Sequence, residues 1–158
     1  MIRQFQFEAE IYNSLSCVPM AARRKLDRLG IKIGLQQWQQ LGRGERLMIC
    51  HAPADSTAEC DALRLFIEEA ALARSGEPPR ELGMEVRQAA SPPAEPPPRL
   101  IANADSLGVK ITAREWQRLD DDQRYALIKL GGEQKPSHNF KAALAEFLPA
   151  RDAAEVQG

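Results

Sequence analysis

Cysteine and histidine are scarce, three of one and two of the other in 158 residues. Three cysteines do not make the even, dense set of a disulfide framework. Cys17, Cys50, Cys60, His51 and His138 are also the whole supply of soft metal ligands. Structural zinc needs four ligands, usually in close pairs that a short turn aims at one ion. Cys50 and Cys60 are ten residues apart and Cys50 adjoins His51, so neither spacing fits. The expectation is no metal, no cofactor, and thiols packed as small hydrophobes. Net positive charge is missing too: 21 Lys+Arg stand against 22 Asp+Glu, which disfavours a dedicated nucleic-acid binder. No apolar run approaches the ~20 residues that span a bilayer. The first ten residues lack a basic-then-apolar leader pattern, so a cytoplasmic protein off the membrane is expected. No glycine-rich phosphate loop occurs. Apart from one strand expected over Gln4–Glu10, no alternating β-branched stretch recurs, and the expected fold is all-α.

What is present is an internal repeat. Leu29-Gly-Ile-Lys-Ile and the residues to Leu41 read against Leu107-Gly-Val-Lys-Ile and the residues to Leu119, 78 positions on. Identities include Gly30/Gly108, Lys32/Lys110, Ile33/Ile111, Trp38/Trp116, Gln39/Gln117 and Arg46/Arg124. The frame extends back through Asp27/Asp105 and Pro19/Pro97. This order predicts an internally duplicated helical repeat with pseudo-two-fold symmetry. Two copies of roughly 60 residues would each be marginal alone, so the halves are expected to share one core.

The punctuation repeats as well. Gly30 and Gly108 close amphipathic stretches, where a helix C-terminus favours positive φ. Ile31-Lys-Ile33 and Val109-Lys-Ile111 then read as short extended pieces. Capping pairs open the next helices: Thr112/Glu115 and, more weakly, Gly34/Gln37; then Asp120/Gln123 and Gly42/Glu45. Those second helices should run to about Cys50 and about Leu130. Ser56/Glu59 opens the last helix of the first copy, with Leu63, Phe66, Ile67 and Ala70 on one face. Phe140, Ala143, Leu144 and Phe147 repeat that stripe. The last helix should be the longest in each copy.

Seven of the eleven prolines fall within residues 76–98. Residues 1–76 are therefore read as an N-terminal extension and first repeat, 77–98 as a Pro-rich linker or strap, and 99–158 as the second repeat and tail. The tail after Pro149 is polar and Ala-rich, and is expected to fray.

Few residues invite chemistry. A thiolate at Cys17 would need a base such as His51 or His138 within reach. No catalytic signature surrounds it, and core packing is the simpler expectation. The paired tryptophans read as core anchors rather than ligand platforms. Asp120-Asp121-Asp122 complements a helix N-terminus, and a magnesium site would need further oxygen ligands from elsewhere. The run Arg23-Arg24-Lys25 with Arg28 lies on a predicted helix, as a solvated face or as a site for an acidic partner.

One combination of residues is familiar: Phe5-x-Phe7-Glu8, Leu15-x-Cys17-Val18-Pro19-Met20, Arg23-x-Lys25-Leu26-Asp27-x-x-Gly30-Ile31-Lys32, and then Trp38. It resembles the bacterial nitrate reductase-associated protein family. The resemblance implies an accessory role toward assimilatory nitrate reductase, a molybdenum and iron–sulfur enzyme, with no catalytic residues to carry over. The prolines from Pro92 to Pro98 depart from shorter relatives. The expected function is non-enzymatic support of nitrate reductase by protein contact, with Arg23, Arg24 and Arg28 as contact residues beside the strap at Glu77–Pro98. The other reading is a carrier for a small molecule or molybdopterin-type cofactor. An anionic ligand would want cations beside an aromatic wall, which Arg23, Lys32, Lys110 and Trp38 would supply if they converge.

Overall fold

The computed structural model describes residues 2–148, and the tail after Pro149 lies outside them. Among the described residues the chain is mostly helical, with ten α-helices and one two-stranded sheet. It forms two compact units that divide between Ser91 and Pro92.

The first unit opens with a 3₁₀ turn, Gln6–Glu8, that leads into α1, Ala9–Ser14. The strand expected over Gln4–Glu10 is therefore helical. Phe5 and Glu8 are both buried, three residues apart, which is a helical spacing rather than the alternation of a strand. The Glu8 carboxylate turns inward and accepts the Met20 N–H at 2.8 Å. That places negative charge at the start of α2, Met20–Leu29, where the helix dipole favours it. α2 buries Ala22, Leu26 and Leu29 and ends at Gly30, whose φ of +76° a side chain would resist.

β1 (Ile31–Lys32) follows, then α3 (Leu35–Gln40), α4 (Arg43–His51) and the 19-residue α5 (Thr57–Ser75). Ser56 and Glu59 satisfy each other's backbone N–H at the start of α5, and Gly76 at φ +79° ends it. Gln37 does not cap α3. Its amide instead donates to the Ser75 hydroxyl and the Glu77 carbonyl. Trp38, Ile49, Leu63 and Ile67 meet Leu26 and Ile31 in one core.

The segment read as a strap carries structure of its own. β2 (Arg80–Glu81) pairs antiparallel with β1, Ile31 opposite Glu81, and α6 (Met84–Ala89) packs on α2. The Leu82 N–H continues the pairing onto the Gly30 carbonyl. Arg64 and Arg87 both donate to the Leu29 carbonyl, which closes the C-terminus of α2.

The second unit contains α7 (Pro98–Ser106), α8 (Ala113–Arg118), α9 (Asp121–Gly131) and α10 (Phe140–Phe147). Gly108 has φ +77°. The Thr112 hydroxyl accepts the Glu115 N–H, and Asp120 and Gln123 cap α9 reciprocally. α9 packs on both α7 and α10. α10 has 8 described residues against 11 in α9, so the expectation that the last helix is the longest holds for the first unit only. The buried stripe Phe140, Ala143, Leu144 and Phe147 is as the spacing predicts.

Candidate functional site

The basic run of α2 divides by direction. Arg23 and Arg28 are exposed, whereas Arg24 and Lys25 are half-buried. Arg24 Nε–H donates to the Ala90 carbonyl at 2.8 Å, which ties α2 to the end of α6. Lys25 Nζ donates to three carbonyls, Ile49 at 3.1 Å, Cys50 at 3.0 Å and Ala52 at 2.6 Å. A cation at those unsatisfied carbonyls also complements the C-terminal end of the α4 dipole. Burial pulls the Lys25 ammonium below its usual pKa, with Cys50 and Asp55 opposing that pull. Sequence reasoning missed this role, although a signal existed. Lys25 lies three residues after Ala22 and four before Leu29, on the buried face. Arg23 and Arg28 sit ~140° apart around the helix, so they present two separate charges rather than one patch.

The tryptophans are fully buried. Trp38 Nε1–H donates to the Leu15 carbonyl at 2.8 Å, and Arg46 Nη1 donates to the same oxygen at 2.8 Å. Leu15 has φ +51°, a left-handed conformation that a leucine adopts only when its surroundings hold it. In the second unit Trp116 Nε1–H donates to the Pro93 carbonyl at 3.1 Å, and the Arg124 guanidinium lies 5.7 Å from the ring centroid. Neither indole has a face open to a ligand. Lys32 is exposed on β1, and Lys110 is exposed in the second unit. The aromatic wall imagined for a carrier site is therefore core.

All three cysteines are free thiols. Cys17 is exposed, which corrects its expected core position. Leu15 and Val18 turn into the core on either side of it, leaving Ser16 and Cys17 outward. His51 and His138 are exposed as well. Among the described residues no three His, Cys, Asp or Glu side chains gather as a metal site.

Cys50 is buried, and desolvation pushes its thiol up from 9.0 to about 11. The folded state thus keeps a proton that the unfolded chain releases. Its contribution is present below pH 9 and is lost as pH rises toward about 11. At ~1.4 kcal/mol per pKa unit the contribution is at most ~3 kcal/mol. Lys25 works the other way, because its lowered pKa favours the folded state as pH climbs toward 10.5. The difference in unfolding free energy between wild type and Cys50→Ala isolates the thiol. Measured by urea titration across this window, it should shrink in the alkaline half, and a constant difference would contradict the assignment.

With these positions established, comparison with known proteins adds one result. A family model described as conserved nitrate reductase-associated protein matches residues 4–147. The chain belongs to this family. Its name associates the members with nitrate reductase. No curated protein and no solved structure matches the chain. The matched span takes in the α2 arginines, both tryptophans and the three side-chain-capped starts of α5, α8 and α9. Among the described residues no helix is long and apolar enough to cross a membrane.

Proposed function

We propose that the protein is a non-enzymatic accessory factor, acting in the cytoplasm, that supports nitrate reductase maturation, assembly or stability through direct protein contact. The family match over residues 4–147 carries this reading. Arg23 and Arg28 are the solvent-facing members of the contact set, and Arg24 supports them from its half-buried place against Ala90. A cofactor carrier for the same enzyme is the other reading. It is the weaker one, because Trp38 and Trp116 are both buried and hydrogen-bonded to backbone carbonyls.

The same proposal includes an ancestral duplication. Each tryptophan donates to a carbonyl 23 residues before it. Gly30 and Gly108 share a φ near +76°. Lys25 closes carbonyls at the end of α4, and its counterpart 78 positions on, Asn103, donates to the Gly131 and Glu133 carbonyls at the end of α9.

Charge reversal of Arg23 and Arg28 to glutamate tests the contact. Exposed substitutions typically change stability by less than ~0.5 kcal/mol, so circular dichroism melts should barely move. Rim charges govern association with an oppositely charged surface, so nitrate reductase activity in nitrate-grown cells should fall. Cys17→Ser should leave both measurements unchanged. Lost activity in the cysteine variant beside normal activity in the arginine variant would replace contact with thiol chemistry.

A further inference from the structure

The solvent side of α5 is unusually apolar for the outer face of a helix. Around one side of it run Ala58, Asp61, Ala62, Leu65, Glu69, Leu72 and Ala73, all exposed. Leu65 and Leu72 are 56% and 55% exposed. Spacings of three, four and seven residues put the set on one face, ~22 Å long from Ala58 to Ala73. Its only charges are the carboxylates of Asp61 and Glu69. The nearby Arg64 faces elsewhere, paired with Glu68 and Glu81. A solvated helix face is mostly charged or polar, whereas a mostly apolar exposed face rimmed by polar groups marks an interaction surface.

α4 presents the complement. Its exposed side carries Arg43, Gly44, Leu47, Met48 and His51. Leu47 is 37% and Met48 51% exposed. Arg43 makes one bond, to the Asn13 carbonyl at 3.2 Å, and is otherwise exposed. The acidic residue of this helix, Glu45, turns away to the Gly42 N–H and to Arg74.

We propose that these two faces bind each other between copies, so that the chain self-associates as a two-fold dimer with α5 of each protomer on α4 of its partner. Pairing α5 with itself antiparallel about Leu65 would set Asp61 against Glu69, acid on acid. Pairing α5 with α4 sets carboxylates against Arg43 and leucines against Leu47 and Met48. A two-fold contact is self-complementary and uses the α5–α4 pairing twice, once in each direction. One helix face of ~22 Å by ~10 Å is far short of the roughly 800 Å² per partner of a stable interface. The doubled contact remains modest, so the dimer is weak and reversible, in the micromolar range.

Charge swaps test this on the full-length protein by sedimentation velocity from low to high micromolar concentration. Wild type should shift from monomer to dimer as concentration rises. Asp61→Lys with Glu69→Lys makes both faces basic, and Arg43→Glu with His51→Glu makes both acidic. Each variant alone should stay monomeric with an unchanged melt. Mixed in equal amounts they should form a heterodimer, because each acidic face then meets a basic one. A wild type that is monomeric throughout, oligomers that grow past the dimer, variants that dimerise like wild type, or a mixture that stays monomeric would each overturn the proposal. A wild type that remains monomeric would leave the nitrate reductase reading standing, since that reading uses α2.

Discussion

Trp38→Ala is expected to destabilise the first unit by about 3–5 kcal/mol, the range for truncating a large buried aromatic. Trp38 is fully buried in the core with Leu26, Ile49 and Ile67. Alanine would open a cavity there that the surrounding helices can fill only in part. The indole N–H is also one of two donors that hold the Leu15 carbonyl. Losing it leaves Arg46 as the remaining donor to the carbonyl of a leucine held at φ +51°. Trp38→Phe should cost less, since it keeps most of the packing and loses the hydrogen bond. Trp116→Ala should be similarly severe in the second unit, where the Pro93 carbonyl loses its donor and Arg124 the ring beneath it. Urea titration followed by circular dichroism measures all three. A loss under ~0.5 kcal/mol for either alanine variant, typical of a surface substitution, would remove the tryptophans from their role as anchors.

Gly131→Ala should be the most damaging single-methyl change, at about 1–3 kcal/mol of overpacking. Gly131 lies where α9 meets α10, and a Cβ there would come within 3.0 Å of the Phe140 ring. Phe140 is fully buried, so the ring has no open direction in which to retreat. Phe140→Leu should give back space, and the double variant should be more stable than the two single losses predict, as contacting sites are non-additive. Gly44→Ala supplies the contrast. Nothing lies within 4 Å of a Cβ at that position, and alanine should stabilise α4 by up to ~1 kcal/mol. Strict additivity of Gly131→Ala with Phe140→Leu would mean that the close approach is not what the glycine provides.

Features set by local chemistry were legible in the sequence. The pairs Ser56/Glu59 and Asp120/Gln123 cap their helices because both partners lie within one turn. The positive φ of Gly30, Gly76 and Gly108 follows from their places at helix ends. Features that depend on docking were not. Lys25 finds its three carbonyls 24 to 27 residues away. Arg80–Glu81 reads as part of a proline-rich strap until Ile31–Lys32 supplies the opposite strand. Gln37 follows the capping pattern, yet its amide reaches Ser75 and Glu77 at the far end of α5. The candidate site divided along the same line. The basic run on α2 is plain from composition, but only packing decides that Arg24 and Lys25 turn inward while Arg23 and Arg28 stay outside.

The most direct test of an accessory role by contact is sedimentation of the purified protein with purified nitrate reductase, without added cofactor. A stoichiometric complex should form, it should weaken as salt rises because exposed charges guide the encounter, and reversal of Arg23 and Arg28 should reduce it. If no complex forms at any salt concentration, while the purified protein carries a stoichiometric pterin by mass spectrometry, the contact account is wrong and the carrier reading takes its place.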